Sequence, residues 1–175
     1  MGGQTATISP AEYLAMHFPD QEPEYVHGEL RYKPIPDRIH GKLQALLGTL
    51  FAAQLGQFGF SAESEVRCKL SSDIYRLPDV AVFGPDHPED LLPDVPPLVV
   101  IEIVSRDEKY TELLEKLEDY RTWGVKNIWV VDPWRWRLSV FDNSGLHDVE
   151  ALRLSEPRFE VNPDQLFRNL PIPPR

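Results

Sequence analysis

The sequence predicts a single domain of the α/β class, and three observations support that prediction. The chain has 175 residues, which fits one ordinary domain over residues 1–175. Residues 98–104 form an almost continuous aliphatic run, which is typical of a strand that is covered on both faces. Apolar side chains recur at helical spacing in residues 39–51 and 110–120, so each of these helices is expected to pack one face against a core.

The N-terminal part of the chain is predicted to form a short helix and a hairpin. Residues 9–12 match a capping box with proline at the first helical position, and the helix is expected to end near Met16. Residues 24–32 have the pattern of a hairpin that turns at His27 and Gly28.

The next two elements are a long helix and a strand, and each contains a polar residue with two interpretations. Asp37 is expected to cap a helix that ends near Gly56, and His40 lies in the first turn of that helix. Residues 61–70 alternate between charged and apolar side chains, as in a half-buried strand. His40 is either an exposed or capping histidine or part of a site. Glu65 either belongs to a solvated charged face or points into that site.

Two predicted strands each contain one carboxylate among apolar side chains. Asp79 lies in the predicted strand of residues 76–83, and Glu102 interrupts the aliphatic run of residues 98–104. A proline-rich surface loop, residues 84–97, joins the two strands. A buried carboxylate is costly unless it is paired or binds a metal, so these two acids indicate a functional site.

The charged helix that follows contains a lysine at the margin of its apolar stripe. Residues 105–108 match a second capping box, which predicts a helix that starts there and runs to about Trp123. At about 100° per residue, Lys116 lies roughly 60° from Leu113, at the edge of the stripe. Lys116 therefore either reaches a buried margin or forms an exposed ion pair with Glu112.

The C-terminal part is predicted to contain two strands and a short helix. Gly124 is expected to end the preceding helix. Residues 127–132 and 137–141 have strand patterns, and residues 164–167 form a short turn of helix. The turn at residues 133–136 is rich in tryptophan and arginine, which indicates either a platform for stacking bases or a cover for the end of a sheet.

Asp79, Glu102 and Lys116 together predict metal-dependent hydrolysis of a phosphodiester bond. That reaction needs a divalent ion to polarise the phosphoryl group and a cation to stabilise the developing charge. Asp79 and Glu102 are expected to bind Mg²⁺ or Mn²⁺, and the backbone carbonyl of Ile103 adds a third oxygen ligand. Lys116 is expected to orient the attacking water, and Glu65 to complete the metal shell or act as the base.

Composition bears on the compartment and on the partners. No apolar run approaches the ~20 residues that a membrane-spanning helix needs, and the N-terminus lacks the basic start and apolar core of a signal peptide. The single cysteine, Cys68, allows no intrachain disulfide, so we expect a cytoplasmic protein without a membrane partner. The net charge of −10 argues mildly against nucleic acid, although a metal site is itself acidic and a bound cation reverses the local sign.

Several sequence blocks resemble one family. Residues 77–83, 100–105, 115–121 and 124–133 are similar to the bacterial Uma2 family of restriction-endonuclease-like proteins, within the PD-(D/E)XK nuclease superfamily. The blocks occur in the family's order, and the resemblance extends over residues 10–170. It implies a restriction-endonuclease-like fold, which has a central mixed β-sheet flanked by helices. An N-terminal hairpin and a C-terminal strand extension complete the expected fold.

The resemblance also implies which residues form the site. Five residues match functional positions of the family: Asp79, Glu102, Lys116, Glu65 and His40. The superfamily places its lysine where this chain has Val104, so the lysine is expected to have moved to the following helix, at Lys116. Two departures affect the outer shell, since His27 stands where the family has aspartate and Glu112 also replaces an aspartate.

These observations leave two main functional hypotheses. The first is a metal-dependent DNA endonuclease, which the intact set of two acids and a lysine favours. The second is a non-catalytic module on the same fold that binds nucleic acid or protein, which the acidic net charge favours. A structural module that forms a homodimer is a third and weaker hypothesis.

Overall fold

A six-stranded mixed sheet forms the centre of the protein. The structure is a computed structural model, and it describes residues 7–171. Residues 1–6 and 172–175 of the predicted domain lie outside the described residues. The expectation about a signal peptide concerns residues 1–6. Within the described part, no helix is both long enough and apolar enough to cross a membrane.

Four α-helices, one 3-10 helix (Gly56–Phe58) and twelve strands are found in the described residues. In chain order the α-helices and strands are α1 (Pro10–Ala15), β1 (Glu24–Val26), β2 (Glu29–Arg31), α2 (Arg38–Leu55), β3 (Ser61–Glu63), β4 (Cys68–Lys69), β5 (Ile74–Arg76), β6 (Val80–Phe83), β7 (Val99–Ile103), α3 (Tyr110–Trp123), β8 (Asn127–Asp132), β9 (Arg137–Asp142), β10 (Gly145–Val149), β11 (Leu152–Leu154), β12 (Phe159–Val161) and α4 (Pro163–Phe167).

The central sheet has the strand order β10-β9-β8-β7-β6-β3. Strands β7 and β8 are parallel, and the other neighbouring strands are antiparallel. A second, four-stranded sheet has the order β2-β1-β5-β4, and β11 pairs with β12. The expected mixed sheet flanked by helices is therefore confirmed, together with the N-terminal hairpin and the C-terminal strands.

The two long helices cover opposite faces of the central sheet. Apolar residues of α2, such as Leu47, pack with Ile101 of β7 in one core cluster. Leu117 of α3 packs with Val100 of β7 in the other cluster. Because alternate residues of a strand point to opposite faces, Glu102 lies on the same face as Val100 and is directed toward α3.

Two of the three predicted strands that carry site acids are interrupted, whereas β7 contains Glu102 without a break. Residues 76–83 divide between β5, which pairs with β1, and β6, which pairs with β7, so Asp79 lies at the joint between two sheets. The prediction of one strand over residues 61–70 is wrong, because only β3 and β4 form there. Between them, Glu65 adopts a left-handed backbone (φ 56°), and its N–H donates to the carbonyl of Pro78 at 3.2 Å.

The helix ends agree with the sequence except at the start of α3. Ser9, Asp37 and Gly124 cap α1, α2 and α3 as predicted. The second capping box is wrong: α3 starts at Tyr110, and residues 105–108 form a turn in which the N–H of Glu108 donates to the Ser105 carbonyl at 3.4 Å. Tyr110, predicted to lie in the apolar stripe, is consequently 61% exposed.

The aromatic turn after β8 covers the end of the sheet. The indole N–H of Trp134 donates to the carbonyl of Val104 at 3.0 Å. The guanidinium of Arg106 lies over the same indole, 4.2 Å from the ring centroid. Trp134 is thus packed against the chain that follows β7, which supports the covering interpretation of this turn.

The aromatic stack between α2 and the C-terminal strands predicts a large effect on stability. Phe51 is 1% exposed, and its ring stacks on Phe159 with centroids 4.0 Å apart. We expect Phe51→Ala to lower the free energy of unfolding by about 3–5 kcal/mol, because it leaves a cavity in the core. Denaturant unfolding measures this, with Phe58→Ala as the control, since Phe58 is 58% exposed. Equal losses in the two variants would contradict the assigned core.

Candidate metal-binding active site

A cavity of about 420 Å³ lies where β7 ends beside the joint between β5 and β6. Every residue that the sequence assigned to the site lines this cavity, namely His40, Glu65, Asp79, Glu102, Ile103 and Lys116. They come from the start of α2, the kink between β3 and β4, the joint before β6, the end of β7 and the middle of α3. The long-range folding of the chain therefore assembles one site from five segments.

Asp79 is one of two acids of the site that are almost completely buried. It is 1% exposed, and its Oδ2 accepts a hydrogen bond from the backbone N–H of Ile103 at 2.7 Å. Its Oδ1 contacts the ammonium of Lys33 and lies 3.3 Å from Nε2 of His40. Burial by itself favours the neutral acid, but Lys33 and His40 hold the pKa of Asp79 well below its usual range.

Glu102 has its own pair of partners on α3. Its Oε2 lies 3.2 Å from Nζ of Lys116, and its Oε1 accepts a hydrogen bond from the hydroxyl of Tyr120 at 2.7 Å. Glu102 is 1% exposed, and this burial raises its pKa to about 7, although Lys116 opposes the shift. Burial disfavours the charge of Lys116 in turn, but the carboxylates of Glu102 and Glu24 raise the lysine's pKa.

The structure decides between the two interpretations of Lys116. The lysine is 6% exposed and points into the cavity. Glu112 does not pair with it within the described residues, and instead lies 2.8 Å from the ammonium of Lys109 on the helix surface. Lys116 also lies 3.7 Å from Glu108. The predicted inward orientation is therefore confirmed, whereas its role toward water stays a prediction.

Three side chains lie close enough together to hold one metal ion. Potential ligand atoms of His40, Glu65 and Asp79 all lie within 4.8 Å of one another. His40 is 6% exposed, and its Nε2 lies at ion-pair distance from Asp79, yet the geometry gives neither ring nitrogen a hydrogen bond with the described part of the protein. A buried imidazole without hydrogen bonds beside two carboxylates has the donor set that divalent cations use, so these residues fit a metal ion. Glu102 is outside this cluster, and the carbonyl of Ile103 remains a predicted ligand.

Gln44 holds two members of this cluster, Glu65 and Asp79, in place. The side-chain amide of Gln44 donates to Oε1 of Glu65 at 3.0 Å and to the carbonyl of Asp79 at 3.1 Å. Gln44 lies one helical turn after His40, and residues four apart share a face of a helix. This four-residue spacing from His40 is the signal in the sequence that indicates Gln44.

Lys33 is a charged residue of the site that no pattern in the sequence indicated. Its ammonium contacts Asp79, lies 3.1 and 3.2 Å from the two carboxylate oxygens of Glu65, and donates to the carbonyl of Leu77 at 2.9 Å. The side chain is only 11% exposed. Burial opposes its charge, but Asp79, Glu102 and Glu65 raise the pKa of Lys33. The residue lies in the loop after β2, where no periodic pattern could have placed it in the site.

A buried ion pair supports the site from the small sheet. Glu24 and Arg76 lie 2.7 Å apart and are both 2% exposed. Arg76 also lies 2.6 Å from Asp119 of α3, and Glu24 accepts the N–H of Leu77 at 3.2 Å. These contacts fix the joint before Asp79 between the small sheet and α3.

The mixed sheet and the acid–lysine cavity together define a restriction-endonuclease-like protein. The sequence model of the Uma2 family, described as "Putative restriction endonuclease", matches residues 10–171, and the chain belongs to this family. The resemblance inferred from the sequence is therefore confirmed.

A solved structure has a similar fold. It is described as a "putative nuclease belonging to DUF820" from Anabaena variabilis ATCC 29413, and it aligns with a TM-score of 0.79 and 22% sequence identity. The alignment covers 92% of this chain and 98% of the other. No curated protein matches the chain.

The raised pKa of Glu102 predicts a pH-dependent stability in the presence of a chelator. The pKa of Glu102 is raised from an ordinary 4.5 to about 7 in the folded protein. At pH values between these two, folded Glu102 keeps a proton that the unfolded chain releases. The stabilisation present below pH 4.5 is therefore lost as the pH rises through 7. Glu102→Gln cannot ionise, so we expect its unfolding free energy to fall less between pH 5 and pH 8, by on the order of 2 kcal/mol.

Denaturant unfolding at several pH values measures this difference. Glu65 and Glu108 also have raised pKa values, but both acids remain in the variant and cancel in the comparison. Parallel pH profiles of the two proteins would contradict the shift at Glu102.

Proposed function

We propose that the protein is a metal-dependent endonuclease that hydrolyses phosphodiester bonds of DNA. The observation that carries this proposal is the cluster of His40, Glu65 and Asp79 within 4.8 Å, in one cavity with Glu102 and Lys116. Membership of the Uma2 family, whose description is that of a restriction endonuclease, supports the same class of reaction.

The acids and the histidine are proposed to hold Mg²⁺ or Mn²⁺. When bound, such an ion polarises the phosphoryl group and neutralises charge that develops on it. Asp79 is fixed for this role, because the N–H of Ile103 holds its Oδ2 while Oδ1 faces His40. Glu65 is fixed by Gln44. Glu102 and the carbonyl of Ile103 are the further ligands predicted from the sequence.

Lys116 is proposed to orient the attacking water. Its ammonium has three donors, and Glu102 takes one of them at 3.2 Å. The hydroxyl of Tyr120 donates to the other oxygen of the same carboxylate. Tyr120 therefore fixes the carboxylate of Glu102, which in turn positions the ammonium of Lys116. The other donors of Lys116 are proposed to bind a water or a phosphate oxygen in the cavity, and Glu65 either completes the metal shell or accepts the water's proton.

A binding module without catalysis is the second candidate. The net charge of −10 favours it, because duplex binding depends on basic surface. In that case Asp79 and Glu102 serve only to pair with lysines, and the cavity binds no ion that activates water.

Cleavage of supercoiled plasmid DNA separates the two candidates. We expect nicking that depends on Mg²⁺ or Mn²⁺ and is abolished by a chelator. Asp79→Ala and Lys116→Ala should each reduce the rate by at least about 100-fold, since the first removes a ligand and the second the group that orients water. Lys126→Ala is the matched control, because this exposed lysine precedes β8 at the opposite end of the sheet.

Cleavage that survives both site substitutions would show that the site is assigned wrongly. Absence of cleavage on duplex and single-stranded DNA, together with absence of metal binding in calorimetry, would favour the binding module.

Metal binding tests the histidine separately from activity. His40→Ala removes a nitrogen ligand, and we expect the dissociation constant for Mn²⁺ to rise by about 10–100-fold. Isothermal titration calorimetry measures this change. His17→Ala is the control, since His17 is an exposed histidine after α1. Equal affinities of the His40 variant and the wild type would exclude His40 as a ligand.

A further inference from the structure

The ammonium of Lys33 lies inside the cluster of potential metal ligands. It contacts Oδ1 of Asp79 and lies 3.1 and 3.2 Å from the two carboxylate oxygens of Glu65. A fourth contact, at 2.9 Å, is to the backbone carbonyl of Leu77. Oxygen atoms from two carboxylates and a carbonyl thus surround a single positive charge, which is an arrangement that a hard cation also takes.

Charge balance explains why a cation is held at this position. Asp79 is 1% exposed, and an ionised carboxylate at that depth is strongly destabilising unless a positive charge accompanies it. Lys33 supplies that charge here. A divalent ion bound by Asp79, Glu65 and His40 would supply it as well, and it would compete with Lys33 for carboxylate oxygens of the same two acids.

The loop that carries Lys33 can release the side chain without loss of sheet pairing. Residues 32–37 lie between β2 and α2 and belong to neither element. Neighbouring side chains of this loop are in solvent, since Tyr32 is 60% and Ile35 86% exposed. The backbone of Lys33 is held through its carbonyl, which accepts a hydrogen bond from Gln21 at 3.2 Å, so the side chain can withdraw while the loop keeps its place.

We propose that Lys33 is a built-in occupant of the metal position, whose ammonium must leave before a divalent ion binds. Lys33 thereby sets the metal concentration at which the site is filled. This inference rests on the proposed function, in that it takes His40, Glu65 and Asp79 as the ligands of the ion.

Lys116 provides a comparison within the same cavity. Its ammonium contacts Glu102 at 3.2 Å, Glu108 at 3.7 Å and Glu24 at 3.9 Å, and none of these belongs to the ligand cluster. Removal of either lysine changes the local charge by one unit. Only removal of Lys33 also vacates oxygen atoms within the cluster of His40, Glu65 and Asp79, so the two effects can be separated.

Calorimetric titration with Mn²⁺ tests the proposal. Wild type, Lys33→Met, Lys116→Met and Lys126→Met are compared, with Lys126 as the exposed lysine distant from the site. If the ammonium of Lys33 has left the metal position in roughly one wild-type molecule in ten, Lys33→Met should bind Mn²⁺ about tenfold more tightly than wild type. Lys116→Met should show a smaller gain, and Lys126→Met none.

Acylation of lysines in the wild-type protein gives a second readout that needs no variant to fold. A water-soluble amine-acylating reagent is applied with and without saturating Mn²⁺, and modification is followed by mass spectrometry of peptides. We expect modification of Lys33 to rise about tenfold with the ion, since its ammonium then leaves the acids, and modification of Lys126 to stay constant.

The outcomes separate this inference from the proposed function. Equal or weaker binding of Mn²⁺ by Lys33→Met, or unchanged modification of Lys33 while the ion binds, overturns the role of Lys33 and leaves the metal site in place. Absence of Mn²⁺ binding by both wild type and Lys33→Met overturns the metal site and the inference together. Binding by Lys33→Met alone supports the inference.

Discussion

Two carboxylates are held out of water at the end of β7, and the surrounding elements are arranged to compensate their charge. Asp79 and Glu102 are each 1% exposed, and burial of an ionised carboxylate costs several kcal/mol unless a partner offsets it. The loop after β2 supplies Lys33 to the first acid, and α3 supplies Lys116 and Tyr120 to the second. The small sheet, the loop and α3 are thus joined to the central sheet through these pairs, so the fold and the site depend on the same contacts.

Local chemistry made most of the secondary structure predictable, and it failed where the backbone reverses within a strand pattern. Asp37 caps α2 through its side-chain oxygen, and Gly124 ends α3 because glycine readily adopts a left-handed backbone. Both effects act over a few residues, and both caps were predicted correctly. Residues 61–70 keep a strict alternation although the chain turns at Glu65, because a left-handed residue other than glycine leaves no mark in the pattern. The division of residues 76–83 between two sheets is set by their pairing partners, which are distant in the sequence.

The site residues that could be predicted are those whose charge conflicts with an apolar sequence pattern around them. Asp79 and Glu102 are acids in apolar runs, and Lys116 is a cation at the margin of an apolar stripe, so each conflict was visible in the sequence itself. His40 conflicts with nothing at the start of a helix, and only the family resemblance indicated its role. Lys33 lies in the loop between β2 and α2, 46 residues before Asp79, and such a distant contact follows from the folded arrangement of the two sheets.

Negative charge in the cavity has a different effect on function from negative charge on the whole surface. Two lysines line the cavity, against six acids: Asp20, Glu22, Glu65, Asp79, Glu102 and Glu108. A phosphodiester would be repelled from such a cavity, because like charges at short range disfavour its approach. A divalent cation bound among the acids offsets part of this negative charge and presents a positive charge directly to the phosphate. In the proposed role of Lys33, the ion also displaces the ammonium of this lysine into the cavity, where its charge can face the phosphate. The negative charge that argues against nucleic acid is therefore also what a metal-dependent nuclease requires at its centre.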